Sequence, residues 1–329
     1  REIADVWTAS IDRWMFASNS DWGRELGVAG YYVRIAPVDT FGALRFGSNV
    51  DIKNVLAGEA TRSVRHLVSP DALALVRFGL RAADDPRIIN TIKVIDATLR
   101  RDLPQGPLWR RYNDDGYGEH EDGSPFDGTG VGRSWPLLAG ERAHYELAAG
   151  RKDAARRLLA TMEASSGPGG LMPEQIWDGP DMPGRELFHG KPAGSAMPLV
   201  WAHAEHIKLL RSLRDGVVFD MPPHGRKRYI EKKTASPYRA WRFNNKIRSM
   251  PAGKKLRIEV LAPAKVHWSV DGWATVRDTE TTANVFGIHI VDLPVDGLSA
   301  GAAVDFTFFW PEAGRWENVD FSVRIEPAS

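Results

Sequence analysis

Cysteine is absent from all 329 residues, which excludes disulfides, thiol catalysis and thiolate metal sites. That absence fits a reducing cytosol and an oxidising periplasm equally. An excess of one charge is also missing. With 43 Lys and Arg against 42 Asp and Glu, the formal net charge is +1, so no electrostatic field points to nucleic acid or to an anionic membrane. No apolar run approaches the roughly 20 residues that a membrane-spanning helix needs. The start carries neither an initiator methionine nor a signal-peptide pattern. Instead, "REIADVWTASIDRW" places Ile3, Trp7, Ile11 and Trp14 at helical spacing, which predicts a chain that begins inside a domain.

What is present is the composition of a globular protein, 43% hydrophobic and 26% charged, at a length comfortable for two domains. Twelve tryptophans stand out. Flat indole faces stack on sugar rings, although large folds bury tryptophan in any case.

Residues 1–216 read as mainly helical. Ser69 and Pro70, and again Asp85 and Pro86, form N-cap and first-position pairs. Leu73, Val76 and Leu80 follow the first pair; Ile88, Ile92, Ile95 and Leu99 follow the second. Gly150 and Gly216 are natural helix ends. The links at 84–86 and 150–152 are tight, whereas those at 102–133 and 166–194 exceed the usual loop length of about 12–15 residues. Their aromatics, among them Trp109, Tyr112, Tyr117, Phe126, Trp177 and Phe188, do not suit disorder. Helical hairpins with long loops gathered at one end describe an α/α toroid, with "GYYVRIA" as a short strand beside that end. Residues 217–240 form a Pro- and charge-rich connector that includes the basic run Arg226, Lys227 and Arg228. Residues 241–329 alternate with period 2 between Gly/Pro/Asp turns, the pattern of an antiparallel β-sandwich. Trp268 falls on its core side with Val266 and Val270. Trp273 follows an Asp271-Gly272 turn and is more open, a face on which sugar could stack.

Chemistry concentrates in the two long loops. Glu174 in "LMPEQIWD" is suited to activate water as a base, with Gln175 orienting substrate hydroxyls, and equally suited to be a solvated loop acid. The other loop sets Arg110 and Arg111 beside Trp109 and Tyr112, ahead of Asp114, Asp115, Glu119, Glu121, Asp122 and Asp127. Arginine offers fixed donors for hydroxyl or carboxylate oxygens. The acids raise calcium as a cofactor, but the strict spacing of an EF-hand is missing. His203 and His206, in an apolar helix, read as core histidines.

Taken together, "RRYNDDGYGE…DGSPFDGTGVGRSWPLLAGERAHYELAAG", "LMPEQIWD" and "GKPAGSAMPLVWAHAEHIKLLRSL" resemble, in order, the second half of the catalytic domain of bacterial glucoamylases and glucodextranases, the family-15 glycoside hydrolases. The likeness covers about two thirds of the chain. It implies the C-terminal half of an (α/α)6 barrel that removes glucose from the non-reducing ends of α-glucans with inversion, no cofactor being required. It further implies Glu174 as general base, Arg111 as the residue that holds the terminal glucose, Tyr112, Asp115, Tyr117 and Gln175 as its companions, and Trp135 as a subsite wall, with Trp109 and Trp177 as further candidates. The β-rich tail, notably "VHWSVDGW" and "GIHIVDLP", resembles domains appended to bacterial members. A polymer-degrading role favours the periplasm or the exterior.

One departure matters. Inversion needs an acid and a base about 6.5–9.5 Å apart, and the family's acid lies in a Trp-Glu-Glu element upstream. The chain contains no such element: Trp316-Glu317 runs into Asn318, and neither Glu119 nor Glu141 fits it. Half a barrel would also expose a large apolar face. The expectation is therefore an N-terminal segment or partner chain that completes the barrel and supplies the acid. A non-catalytic glucan-binding subunit, a transglucosylase and a trehalase are the alternatives.

Overall fold

The structure, a computed structural model, describes residues 1–37 and 47–328. These divide into two compact units, one of Met15–Ala36 with residues 47–234 and one of Arg1–Trp14 with residues 235–328. The first fourteen residues, read from sequence as part of the helical region, thus belong to the β unit.

Within that unit, helix α1 (Glu2–Met15) is tied to the sheets by Glu2, whose carboxylate accepts from Arg257 at 2.9 Å. Arg257 also pairs with Asp292 at 2.6 Å and lies 3.8 Å above the Tyr238 ring.

In the helical unit, α2 (Pro86–Leu99) starts as the sequence predicts: Asp85 caps the Arg87 N–H and Pro86 takes the first turn. Ile88, Ile92, Ile95 and Leu99 are buried in a row. The segment after Ser69 is cut shorter than expected. A 3-10 turn at Pro70–Leu73 passes into one helical turn, Ala74–Arg77. It ends at Gly79, which is left-handed (φ +71°) and packed so tightly that a Cβ would lie 2.7 Å from the Arg226 nitrogen. Residues 217–234 accordingly pack with the helices and are not a free connector.

Helices α3 (Pro136–Ala148), α4 (Lys152–Ala164) and α5 (Val200–Asp215) pack on one another. Leu137, Ala143, Leu158, Met162, Leu209 and Leu213 fill their shared core. Gly140 permits the close approach of α5, since a Cβ there would meet the Glu205 Cγ at 2.7 Å. Glu205 is itself buried, held by Arg77 at 2.7 Å and by His144 at 2.8 Å. Helix α5 therefore turns an acid inward while Val200, Trp201, Ile207 and Leu210 face out, 43–76% exposed. "GYYVRIA" does supply a strand: Gly30–Tyr32 pairs antiparallel with Phe16–Ser18.

Among the described residues the β unit has two sheets. One runs Arg277–Glu280, Lys265–Ser269, Ala303–Trp310, Phe321–Glu326, Ser249–Pro251, with Arg315–Trp316 added to Ala303–Trp310. The other runs Thr282–Ala283, His289–Leu293, Lys255–Val260, Tyr238–Trp241. Alternate residues of both meet in one core around Trp241, whose ring lies 5.1 Å from Phe306 and 4.7 Å from Phe321. Trp268 is in that core. The expected antiparallel sandwich is in fact mixed, because Tyr238–Trp241 and Ser249–Pro251, early in the unit, join later strands in parallel. Their reach is explained by position: each fills a sheet edge left open by the antiparallel strands.

Candidate active site

The two long loops are locked together through Asp178. Its fully buried carboxylate accepts from Arg110 (2.8 and 2.9 Å), from Ser134 Oγ (2.9 Å) and from Arg133 (3.4 Å). Arg133 in turn donates to the Glu119 and His120 carbonyls and lies 4.1 Å above the Trp177 ring. The three surrounding donors hold the Asp178 carboxyl below the usual aspartate range, although burial alone would raise it. Sequence reading passed over Arg133 and Asp178. Alternating Arg and Asp across two loops was the signal available, but spacing cannot say which pairs meet.

A cleft of about 440 Å³ opens beside this lock, with Tyr117, Glu119, Phe126, Glu174, Arg185 and Leu187 on its walls. Glu174 is half-buried at its side. The Glu174 N–H donates to the Ala196 carbonyl, and its carboxylate accepts from the Tyr117 hydroxyl at 3.4 Å. Burial raises its carboxyl above the ordinary glutamate range, and the Glu119 charge adds to this; Arg111 and the Tyr117 hydroxyl act against it. Glu119 is buried on the same wall with its Oε2 lacking a hydrogen-bond partner.

Arg111 stands behind Tyr117. Its guanidinium lies 4.9 Å from the Tyr117 ring, 5.2 Å from Trp135 and 5.5 Å from Tyr112. Asp115 fixes it from beneath with two bonds of 2.7 and 2.8 Å, and also accepts the Tyr117 N–H. A second, smaller hollow of about 90 Å³ joins Arg111, Tyr112 and Trp135 to Arg34, Glu141 and Trp201. Trp135 is buried there with its indole N–H unpartnered. Burial and the Glu205 charge push the Glu141 carboxyl up to about 7.

Of the residues singled out from sequence, Arg111, Tyr112, Asp115, Tyr117, Trp135 and Glu174 thus form one connected cluster. Gln175 borders the cleft, but its side chain is spent on the scaffold: Oε1 accepts from the Arg133 N–H at 2.7 Å and Nε2 donates to the Tyr117 carbonyl at 3.0 Å. It is buried and positions the loops. Trp109 and Trp177 lie outside the cluster. Trp109 is buried, donating to Asp96 at 2.9 Å beneath Arg142; Trp177 is buried, donating to the Pro180 carbonyl at 2.7 Å. Both rings serve packing, because their faces and N–H groups are already covered.

Several of the acids that raised calcium have partners of their own. Asp122 caps Ser124, Asp127 caps Thr129 and Asp114 pairs with Arg62. Among the described residues no group of three or more His, Asp or Glu side chains is placed to hold a metal ion. His203 accepts the Met172 N–H, and His206 pairs with Glu163.

This geometry can be set beside known proteins. A glucoamylase of Clostridium sp. (strain G0005) is 40% identical over 233 residues, which make up 70% of this chain and 30% of that protein. A cycloisomaltooligosaccharide glucanotransferase of Niallia circulans is 33% identical over 96 residues, 26% of this chain and 10% of that one. The crystal structure of a bacterial glucoamylase complexed with acarbose superposes with a TM-score of 0.59 at 40% identity, covering 70% of this chain and 31% of the other. The chain therefore spans less than a third of the glucoamylases it matches, and the likeness supports the α/α toroid class for its helical region. The sequence model of the glycosyl hydrolases family 15 matches residues 28–211, more than half of the sequence and the whole cluster around Glu174, and the chain belongs to that family.

Proposed function

We propose that the chain is the second half of an exo-acting, inverting α-glucoside hydrolase that releases glucose from the non-reducing ends of α-glucans. The observation that carries this reading is the half-buried Glu174 on the cleft wall, hydrogen-bonded to Tyr117 and backed by the Arg111–Asp115 pair. A carboxylate lifted by burial is a better proton acceptor, and Glu174 would take the proton of the attacking water. Arg111, held rigid by Asp115, presents donors to sugar hydroxyls between the aromatic walls of Tyr112, Tyr117 and Trp135. The Trp135 indole N–H and the Glu119 Oε2, both without a protein partner, are a donor and an acceptor that hydroxyl groups would satisfy. Relatives named as glucoamylases, one of them complexed with acarbose, favour an α-glucan as the substrate.

The general acid would come from residues outside this chain, on an N-terminal segment or partner polypeptide that completes the barrel. The outward face of α5 supports this. Val200, Ile207 and Leu210 recur at helical spacing and, with Trp201, leave an apolar stripe exposed, the surface that a missing helix would cover.

The test is Glu174→Gln in the assembled enzyme that includes the Trp-Glu-Glu segment, assayed on maltooligosaccharides. Loss of a general base lowers the rate about 10²–10⁴-fold, and the first-formed glucose should be the β-anomer by NMR. Glucose release within about tenfold of the parent enzyme would overturn the base assignment.

A further inference from the structure

In a sheet that covers a core, side chains alternate between core and solvent. Val266 and Trp268 of Lys265–Ser269, and Phe306 and Phe308 of Ala303–Trp310, point into the sandwich. The opposite face of these strands should then be polar, and it carries a row of rings instead. Trp273 stacks on His267 (5.7 Å, 16° between planes), His267 meets Trp316 edge-on (5.5 Å), and Trp316 meets Phe309 (5.4 Å). None of the four belongs to the sandwich core, and Trp316 is 43% exposed.

The row is built. Trp273 has φ +69°, a conformation that bulky residues avoid and that persists only where surrounding bonds over-determine it. A cage supplies those bonds. Ser269 Oγ accepts the Trp273 N–H at 3.0 Å and donates to Asp271 at 2.7 Å; Asp271 accepts both the N–H and the hydroxyl of Thr275. These bonds draw the Asp271 carboxyl down to about 2. His267 is fixed from the side by Asp278 at 2.6 Å.

We propose that this row is a second, non-catalytic carbohydrate site, on which a glucan strand lays the C–H faces of its sugars over Trp273 and Trp316 with hydroxyls directed to Asp278 and its neighbours. A sugar ring has apolar faces and a polar rim, and an aromatic strip edged by hydrogen-bonding groups matches both. The strip is a single row of rings bordered by Lys265, Asp278 and Glu280, which share the face of His267. A protein partner needs a broader surface, about 800 Å² of interface on each side, so a linear polymer fits better. The choice of a glucan rests on the function proposed above.

The test is native electrophoresis of the full chain through gels containing soluble starch or dextran, comparing the parent with Trp273→Ala/Trp316→Ala and with Arg111→Met. Retardation of the parent by either polymer, weakened at least about tenfold in apparent affinity (about 1.4 kcal/mol) by the tryptophan pair and retained by Arg111→Met, is the expected result. Loss in both variants also supports the site, as two sites sharing one polymer. Loss in Arg111→Met alone overturns the second site and leaves the cleft reading intact. No retardation of the parent, or none altered by the tryptophan changes, overturns it outright. Circular dichroism checks folding; should the double variant unfold, Trp316→Ala alone, at an exposed position, decides, and Trp273→Tyr/Trp316→Tyr should keep most of the retardation.

Discussion

Removing the carboxylate of Asp178 should loosen both long loops of the helical unit. The side chain is fully buried and takes bonds from Arg110, Arg133 and Ser134. Breaking a buried ion pair from one side costs about 3–5 kcal/mol, because the remaining charge is left uncompensated. The structure places Asp178→Ala at the lower end of that range. Arg110 is 21% exposed and can turn to water, and Arg133 keeps the Glu119 and His120 carbonyls. A loss of about 3 kcal/mol in a domain of this size lowers the melting temperature by roughly 6–12 °C. Denaturant unfolding followed by circular dichroism at 222 nm, where the helical unit dominates, reads the change. Asp178→Asn adds a sign test. The folded Asp178 carboxyl is held below its unfolded value, so its stabilisation is present above the ordinary aspartate range and is lost as pH falls through the folded value. The gap between Asp178→Asn and the parent should therefore be constant between pH 6 and 8 and close in acid. A penalty under about 1 kcal/mol for Asp178→Ala, or a gap that widens in acid, would refute the interlock.

Two other outcomes follow from the charges around the clefts. Arg111 holds Glu174 down and Glu119 holds it up. In the assembled enzyme the acid limb of kcat/KM should thus move to higher pH in Arg111→Met and to lower pH in Glu119→Gln; shifts in one common direction would contradict the base assignment. Glu141, pushed up to about 7 by burial, favours folding below the ordinary glutamate range and loses that contribution as pH rises through 7. Glu141→Gln should leave stability unchanged near pH 4 and raise it by roughly 1–3 kcal/mol at pH 8, as measured by urea unfolding at both values.

The sequence made the regular parts legible because their signals are local. Asp85 with Pro86 marks a helix start, Gly150 and Gly216 mark ends, and the alternation around Val266 and Trp268 marks a buried strand face. Long-range consequences were hidden. The stripe in α1 said helix but misjudged its covered face, since Trp7 is 50% exposed while Val6, Thr8 and Ser10 are buried; nor could it say that Glu2 would pair with Arg257, more than 250 residues away. Gly79 could not announce that Arg226 would press on it. In the site, the types and order of Arg111, Tyr117, Trp135 and Glu174 were readable, whereas Trp109 and Trp177 misled. An indole in a loop has the same letter whether its face is open or lies under an arginine.

The interlock at Asp178 has a further consequence for how such a cleft can change over generations. The floor, with Gln175, Arg133 and Asp178, answers to several partners at once, so substitution there is felt by both loops. The rim is different. Near Gly123 the first loop meets Met182, Arg185 and Leu187 of the second, and Arg185 and Leu187 also line the cleft. These tips make few commitments elsewhere. Insertions or exchanges at 122–125 and 183–186 can therefore reshape the outer wall while the base keeps its station, which separates the choice of sugar chain from the chemistry performed on it.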